Sequence, residues 1–197
     1  DKNDSTAKKI LTKIVKFILA CYVEFFRGTP MIVQSMVIFY GSAQAFNISL
    51  DRTWAAIFIV SINTGAYMSE IVRGGILAVD PGQFEAATAL GMTHGQTMRK
   101  VVLPQVVRNI LPATGNEFVI NIKDTSVLNV ISVVELYFTG NTVATQNYQY
   151  FPTFTIIAVI YFVLTFTITR ILRYIERRLD SDTYTTGANQ MQVNEVK

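Results

Sequence analysis

The sequence has very few of the residues from which metal sites and hydrolytic centres are built. Its 197 residues include one cysteine, Cys21, and one histidine, His94. A single cysteine excludes an internal disulfide, and the two residues together cannot supply a Cys/His metal cluster. The single histidine lies in a polar loop segment, so a Ser/His/Asp set has no plausible members either. We therefore expect no catalytic residue, no metal site and no cofactor in this chain.

A nucleotide-binding motif is also missing. No glycine-rich loop is followed by Lys-Ser or Lys-Thr, the arrangement that cradles phosphates in P-loop ATPases. The chain is therefore not expected to hydrolyse ATP or to be an enzyme. Charged residues make up only 16% of the chain, whereas 50% of the residues are hydrophobic. This composition, with a mean hydropathy of +0.33, is typical of an integral membrane protein.

Four apolar runs could cross, or nearly cross, a hydrocarbon layer of about 30 Å as helices. They are residues 30–46, 53–71, a stretch within 110–138, and 152–172. The first is short, the third is the most polar and the fourth has the cleanest apolar composition. We expect an all-α integral membrane bundle of about four spans, with a transmembrane domain over residues 30–179.

The two ends of the chain differ from this central part. Residues 1–29 are basic, and their apolar side chains, such as Ile10, Ile14 and Phe17, recur on one helical face with the lysines turned away. We expect an amphipathic cytoplasmic segment there. Residues 180–197 are polar and are expected to form a cytoplasmic tail.

The polar segment 80–104 separates the second and third runs and is rich in helix-end signals. Asp80 can cap a helix whose first turn holds a proline, and Gly91 can end that helix in the left-handed conformation. Thr93, with a glutamine three residues later, has the spacing of a capping box. Pro104 is expected to end the second helix. The pattern predicts two short capped helices on one face of the membrane, where a partner could grip them.

The same segment resembles the EAA loop of ABC importer permeases. Three further motifs, at residues 24–30, 69–76 and 123–126, are similar to those of the branch that carries polar amino acids, and the likeness covers roughly residues 22–179. In that family the loop is the coupling element that docks into a groove on the cytoplasmic ATPase. The residues that match the loop's pattern, and to which the resemblance assigns ATPase coupling, are Glu85, Ala86, Ala87, Gly91, Leu103 and Pro104.

The resemblance implies the transmembrane subunit of an ATP-driven importer in the bacterial cytoplasmic membrane. Such a subunit would translocate a polar amino acid, such as glutamine, glutamate, histidine or arginine, by alternating access. A second permease subunit, identical or different, would complete the pathway. ATP would bind to partner ATPase subunits, and an extracellular solute-binding protein would deliver the substrate. Permeases of this branch usually have five spans, so the first family span is expected to be missing. No nucleic acid partner is expected.

Lysine and arginine are distributed unevenly between the predicted loops. They are frequent in residues 2–27, in the loop after the second run and in residues 170–178, whereas residues 139–151 carry no charge. Cytoplasmic loops of membrane proteins carry the excess of lysine and arginine. We therefore expect both termini and the 80–104 segment to lie in the cytoplasm.

The third run contains ionisable residues at a depth where a charge is costly unless it is paired or faces water. A zwitterionic amino acid needs an anionic partner for its ammonium group and a cationic or amide donor for its carboxylate, and this run offers both. Residues 123–126 could also break the helix and present polar groups to a cavity. A structural ion pair, for instance Lys123 with Asp124 or with Glu70, is an equally good interpretation. The candidate pathway residues are Glu117, Asn121, Lys123, Asp124, Thr125 and Ser126.

Other classes of protein fit the sequence less well. Ala87 and Gly91, followed by a polar helix, resemble a DNA-binding helix-turn-helix, but only Arg99 and Lys100 supply charge near the supposed recognition helix. The loop could also be merely structural, in a small helical channel or another membrane protein. A channel needs no ATPase dock, and a membrane-embedded enzyme needs clustered catalytic residues that this chain lacks.

Overall fold

Helices make up the regular secondary structure of the part of the chain that the structure describes, which confirms the all-α prediction. This computed structural model describes the backbone of residues 6–195 and the side chains of residues 8–178. The chain divides into two compact units. The first contains the residues up to Glu70 together with Asp124–Thr153, and the second contains Ile71–Lys123 together with the residues from Phe154 onward.

The elements of the first unit are helices on both sides of a long gap in sequence. They are α1, Thr6–Gly28; α2, Met31–Phe46; most of α3, Arg52–Leu77; a 3₁₀ helix, Thr125–Ile131; and α7, Leu136–Asn147. The second unit holds the short helices and the two longer helices that follow them. They are α4, Pro81–Ala89; α5, His94–Thr97; a π-helical segment, Met98–Val102; α6, Leu103–Asp124; and most of α8, Tyr150–Glu195.

Within the described part of the chain, two helices are long and apolar enough to cross a membrane, namely α3 and the Tyr150–Arg178 part of α8. A third span results if His94–Ile131 and Leu136–Asn147, which are bent by 55° at their break, count as one. The remaining predicted span corresponds to α2, which is apolar but has 16 residues. Because a helix needs about 20 apolar residues to cross the bilayer, that span stays a prediction. By length and composition, two helices among the described residues could span a membrane, or three with the bent pair, and the four-span arrangement stays a prediction.

The predicted ends of the transmembrane domain, at residues 30 and 179, also stay predictions. α1 covers residues 6–28 of the expected amphipathic segment, and its apolar side chains, among them Ile10, Ile14 and Phe17, are exposed. The helix α8 continues through Glu195. The predicted polar tail, 180–197, lies outside the residues whose side chains are described.

The first unit is packed around α3. Ala55, Ala56 and Ile59 of this helix are buried against Leu128 and Ile131 of the 3₁₀ helix. Met31, Ile38 and Phe39 of α2 are partly buried and pack against the same cluster. The buried core of the first unit is therefore formed by α3 and the 3₁₀ helix, with α2 packed against it.

The prediction that Pro104 ends a helix is wrong. Pro104 lies in the first turn of α6, and the five residues before that helix are π-helical, with the N–H of Leu103 donating to the carbonyl of Met98. Proline lacks the backbone donor and its ring clashes with the carbonyl four residues back in a regular α-helix. The wider π-helical turn and the position in the first turn of α6 accommodate the ring. The helical path continues from His94 to Asp124.

Candidate functional site

The start of α4 is fixed by its cap. The Asp80 carboxylate accepts a hydrogen bond of 2.7 Å from the backbone N–H of Gly82, and Pro81 occupies the first turn. An aspartate at this position satisfies one of the N–H groups that have no partner inside the helix. The predicted cap at Asp80 is confirmed, and α4 begins at the expected residue.

The end of α4 is a Schellman motif centred on Gly91. The N–H of Gly91 donates to the carbonyl of Thr88 at 2.9 Å, and the N–H of Met92 donates to that of Ala87 at 3.0 Å. Gly91 has φ +74°, which confirms the predicted left-handed conformation. No other described atom would lie within 4 Å of a Cβ placed there. Glycine is therefore required by the backbone conformation and not by crowding.

The capping box at the start of α5 is also present. The N–H of Thr93 donates to Oε1 of Gln96 at 2.9 Å, and the N–H of Gln96 donates to Oγ1 of Thr93 at 3.4 Å. The hydroxyl of the buried Thr97 donates to the carbonyl of Thr93 at 3.1 Å. The Gly91 turn and this box meet at Met92, so the direction of the chain between α4 and α5 is determined on both sides.

Beneath these helices lies a small apolar core. Val79, Val102 and Val106 are buried, and Phe84 of α4 and Met98 of the π-helical segment pack against them. The end of α3 also packs closely here, because a Cβ at Gly75 would collide with Ile110. The core supports the 80–104 segment on α6, and the close approach at Gly75 accounts for one of the glycines in the 69–76 motif.

The coupling residues predicted from the EAA pattern do not all face the same way. Ala87 is 3% exposed and points into the support, whereas Glu85, Ala86 and Gly91 are exposed. Leu103 and Pro104 are exposed as well. The residue that the sequence reasoning missed is Leu90, which is 81% exposed at the tip of the segment. The sequence does contain a signal for it. Leu90 is an apolar residue in a polar loop and directly precedes the glycine predicted to be left-handed, a position that favours exposure.

The motif at residues 24–30 is held by a buried polar network in the first unit. Nε2 of Gln34 lies 3.0 Å from the carbonyl oxygen of Phe26 and 2.9 Å from both the carbonyl and hydroxyl oxygens of Thr29. Asn63 of α3 donates to Oε1 of Gln34 at 2.9 Å. Neither amide was predicted as a site residue, and both fix the corner between α1 and α2 on α3.

An ion pair adds to this corner. Arg27 lies 3.6 Å from the carboxylate of Glu70 and places its guanidinium 5.6 Å from the ring centre of Tyr67. Because both charged side chains are partly exposed, the pair contributes little to stability. Its geometry supports the structural interpretation of Glu70, with Arg27 as an observed partner.

The candidate pathway residues follow one another along the end of α6 and the start of the 3₁₀ helix. Glu117 and Asn121 are half-buried on α6, whereas Lys123 and Asp124 are exposed at its end. Thr125 and Ser126 begin the 3₁₀ helix and are half-buried. The predicted reorganisation of the helix at residues 123–126 is thus present. Among the described residues, no group of three or more His, Cys, Asp and Glu side chains could hold a metal ion.

The chain matches a known family over most of its length. Residues 7–181 match the family described as binding-protein-dependent transport system inner membrane component. The chain is 39% identical over 167 residues to the glutamine transport system permease protein GlnP of Escherichia coli, covering 84% of this chain and 76% of that protein. It is 38% identical over 161 residues to the arginine transport system permease protein ArtQ of Bacillus subtilis, covering 82% and 74%.

Solved structures have the same fold. The crystal structure of an amino acid ABC transporter with histidines aligns with a TM-score of 0.80 at 43% identity, covering 84% of this chain and 77% of that chain. An inward-facing MetNI methionine ABC transporter aligns with a TM-score of 0.70 at 21% identity, covering 89% and 78%. The second likeness concerns the fold alone.

Proposed function

The chain belongs to the family of binding-protein-dependent transport system inner membrane components, and we propose that it is the transmembrane subunit of an ATP-driven importer of a polar amino acid. The observation that carries the proposal is the geometry of the 80–104 segment, two short helices capped on both sides of a left-handed glycine. The caps and backbone hydrogen bonds fix the conformation of this segment, and Leu90 is exposed at its tip. Such a segment is suited to transmit force to a partner.

The proposed substrate is a zwitterionic amino acid. The relatives named above are glutamine and arginine permeases, and the L-cystine transport system permease protein TcyB of Bacillus subtilis is 39% identical over 178 residues, covering 89% of this chain and 76% of that protein. These substrates share an α-ammonium and an α-carboxylate group and differ in their side chains. The shared groups are the ones that the permease would recognise in every case.

The proposed docking surface for the ATPase is the outward face of the 80–104 segment. Glu85, Ala86 and Leu90 are exposed on it, and Leu103 and Pro104 are exposed beside the π-helical segment. Ala87 is buried and would contribute indirectly, by packing α4 against the rest of the second unit. Because the segment is continuous with α6 through the π-helical turn, a displacement of α4 and α5 would be passed along α6.

The proposed substrate pathway includes the polar end of α6 and the first turn of the 3₁₀ helix. Glu117 and Asn121 lie four residues apart and so share a helical face. Glu117 would hold the ammonium group, and Asn121 would offer a hydrogen bond to the carboxylate. Thr125 and Ser126 stay in the predicted set of pathway residues. Lys123 and Asp124 belong to the same predicted set, and Lys123 also lines a groove between α6 and α8.

The proposed setting is the bacterial cytoplasmic membrane, with both termini and the 80–104 segment in the cytoplasm. Family membership identifies an inner membrane component, and the distribution of lysine and arginine supports the orientation. A second permease subunit, ATPase subunits that bind ATP, and an extracellular binding protein are the proposed partners. ATP hydrolysis is assigned to the ATPase subunits, and the permease itself carries no catalytic role.

The proposal is tested by uptake into vesicles that contain the complete transporter. Labelled glutamine is offered with its binding protein, and unlabelled arginine, histidine, glutamate and cystine are added in turn as competitors. We expect uptake against a concentration gradient only when ATP is present on the ATPase side. Flux that follows the gradient without ATP would instead identify a channel, and uptake that no amino acid competes for would overturn the substrate class.

A further inference from the structure

A groove between α6 and α8 brings three basic residues together in the second unit. It has a volume of about 330 Å³, and its lining includes Lys123 from α6 and Arg170 and Arg173 from α8. Phe162 and Phe166 of α8 line the same groove. The guanidinium of Arg170 lies 4.8 Å from the ring centre of Phe166, which holds this cation over an aromatic face.

The charge of the groove is of one sign. Among the described residues that line it, none is acidic. The nearest acidic group along α8 is Glu176, which lines a neighbouring pocket with Arg173 and Asn116. Arg173 lines both the groove and the neighbouring pocket. Even if its charge is balanced by Glu176, the charges of Lys123 and Arg170 leave the groove positive. A ligand with one or two negative charges would be complementary to it.

The depth of the groove in the bilayer follows from the length of α8. Arg170 comes twenty residues after Tyr150, and at 1.5 Å per residue this distance is about 30 Å, the thickness of the hydrocarbon layer. Tyr148, Tyr150 and Phe151 are exposed at the other end, where aromatic side chains favour the membrane interface. Arg170 and Arg173 therefore reach the level of the lipid headgroups, and Phe162 lies at the level of the acyl chains.

The groove also opens on a surface of α8 that is largely exposed among the described residues. Only 6% of the apolar stretch of Tyr150–Arg178 is buried inside the chain. In a membrane, such a surface meets acyl chains or a partner helix. A positive groove at headgroup level, next to exposed phenylalanines, has the chemistry of a phospholipid site: cations for the phosphate and an apolar wall for one chain.

We propose that the α6–α8 groove binds the headgroup of an anionic phospholipid, with its phosphate held by Lys123 and Arg170 and one acyl chain along Phe162 and Phe166. The inference rests on the membrane location of the protein and not on its substrate. It gives Lys123 a role different from that of a pathway residue. The bound lipid would couple α6, which carries the 80–104 segment, to α8.

The test uses the assembled transporter, stripped of lipid in detergent and titrated with phosphatidylglycerol under native mass spectrometry. The double variant Lys123→Gln/Arg170→Gln is compared with the matched control Arg177→Gln/Arg178→Gln, which also removes two positive charges but lies outside the groove. Each basic group near the surface contributes about 1 kcal/mol, so we expect phosphatidylglycerol binding to weaken by about thirty-fold in the first variant. The control removes two charges that lie outside the groove, so its phosphatidylglycerol binding should weaken far less.

Several outcomes would overturn the proposal. Unchanged phosphatidylglycerol binding in Lys123→Gln/Arg170→Gln, or an equal loss in the control, would show that no specific site exists. Displacement of the lipid by inorganic phosphate alone would indicate a simple ion site. An unchanged lipid titration together with a raised KM for the amino acid would return Lys123 to the substrate pathway.

A conservative variant covers the case in which the glutamine variant does not assemble. Lys123→Arg/Arg170→Lys keeps both charges and should keep phosphatidylglycerol binding within about threefold, because the contribution of each charge is retained. Loss of binding in that variant would contradict an electrostatic site. Phosphatidylcholine, which has no net charge, should bind the wild-type complex far more weakly than phosphatidylglycerol in the same titration.

Discussion

Nδ2 of Asn63 donates a hydrogen bond of 2.9 Å to Oε1 of Gln34, and this contact joins α3 to α2 in the first unit. The two side chains are 8% and 3% exposed. Asn63 also donates to the carbonyl of Phe26 at 3.2 Å, so one amide serves two elements. Because the bonds are shielded from water, the loss of one partner leaves the other without compensation.

Asn63→Ala is therefore expected to destabilise the corner formed by α1, α2 and α3. The buried Oε1 of Gln34 would lose its donor, at a cost of about 1–3 kcal/mol. Thermal unfolding of the purified transporter in detergent measures the effect. Ser61→Ala, an exposed position on the same helix, is the matched control and should change stability by less than about 0.5 kcal/mol. Equal stability of the two variants would show that the amide network contributes nothing.

Gly91→Val is expected to impair coupling while leaving the protein in the membrane. The φ of +74° at this position is strained for any residue with a Cβ and most of all for a β-branched one, by about 1–3 kcal/mol. We expect α4 and α5 to lose their fixed angle, so that substrate-stimulated ATP hydrolysis and uptake both fall. The measurement is ATPase activity of the reconstituted complex with and without loaded binding protein.

Gly95→Ala is the control for that experiment. Gly95 lies in α5. As at Gly91, no other described atom would lie within 4 Å of a Cβ added there. Alanine in a helix is favoured over glycine by about 1 kcal/mol, so this variant should be as active as the wild type. Normal coupling in Gly91→Val would remove the role assigned to the left-handed turn.

Neighbouring alanines of α4 should respond differently to enlargement. Ala87 is on the buried face of α4, and Ala86 is exposed. Ala87→Leu is expected to overpack the support and destabilise it by about 1–3 kcal/mol. Ala86→Leu should fold normally but alter the docking surface. Thermal unfolding of the permease and its co-purification with the ATPase subunit separate the two effects, and the same loss of stability in both would contradict the buried position of Ala87.

Single cysteines test the orientation. Gln96 and Asn147 are exposed in the 80–104 segment and at the end of α7, and Cys21 is also exposed, so the background must carry Cys21→Ser. Gln96→Cys should react with a membrane-impermeant maleimide only from the cytoplasmic side, and Asn147→Cys only from the outside. Labelling of both from one side would overturn the topology inferred from lysine and arginine.

The features that the sequence predicted best are those encoded by near neighbours. The Asp80 cap, the left-handed Gly91 and the Thr93–Gln96 capping box each depend on residues within a few positions. Pro104 failed as a helix end because it lies in the first turn of α6, directly after a π-helical segment whose Val102 is buried in the apolar core. A periodicity analysis does not contain that information.

Contacts between distant residues were not predictable in the same way. Gln34 and Asn63 are 29 positions apart, and each alone reads as an ordinary polar residue in an apolar run. The direction of Ala87, inward, and of Leu90, outward, depends on which face of α4 meets the apolar core. The convergence of Lys123 with Arg170 across α6 and α8 likewise needs the fold.

The last prediction concerns Glu117, which we propose binds the substrate ammonium group. Glu117→Gln keeps the size of the side chain but removes its charge. A hydrogen bond to a charged group is worth about 1.5–3 kcal/mol, so the KM for the amino acid should rise by about tenfold to a hundredfold. If Glu117 instead belongs to a structural pair, the same change strands a buried charge and lowers the yield of assembled complex. The two measurements, uptake kinetics and yield, therefore separate the two roles.

Asn116→Ala, at the exposed neighbouring position, is the control and should change neither the uptake kinetics nor the yield. An intact Glu117→Gln complex with unchanged substrate affinity would rule out the binding role. It would show that the substrate ammonium group does not need the negative charge of Glu117.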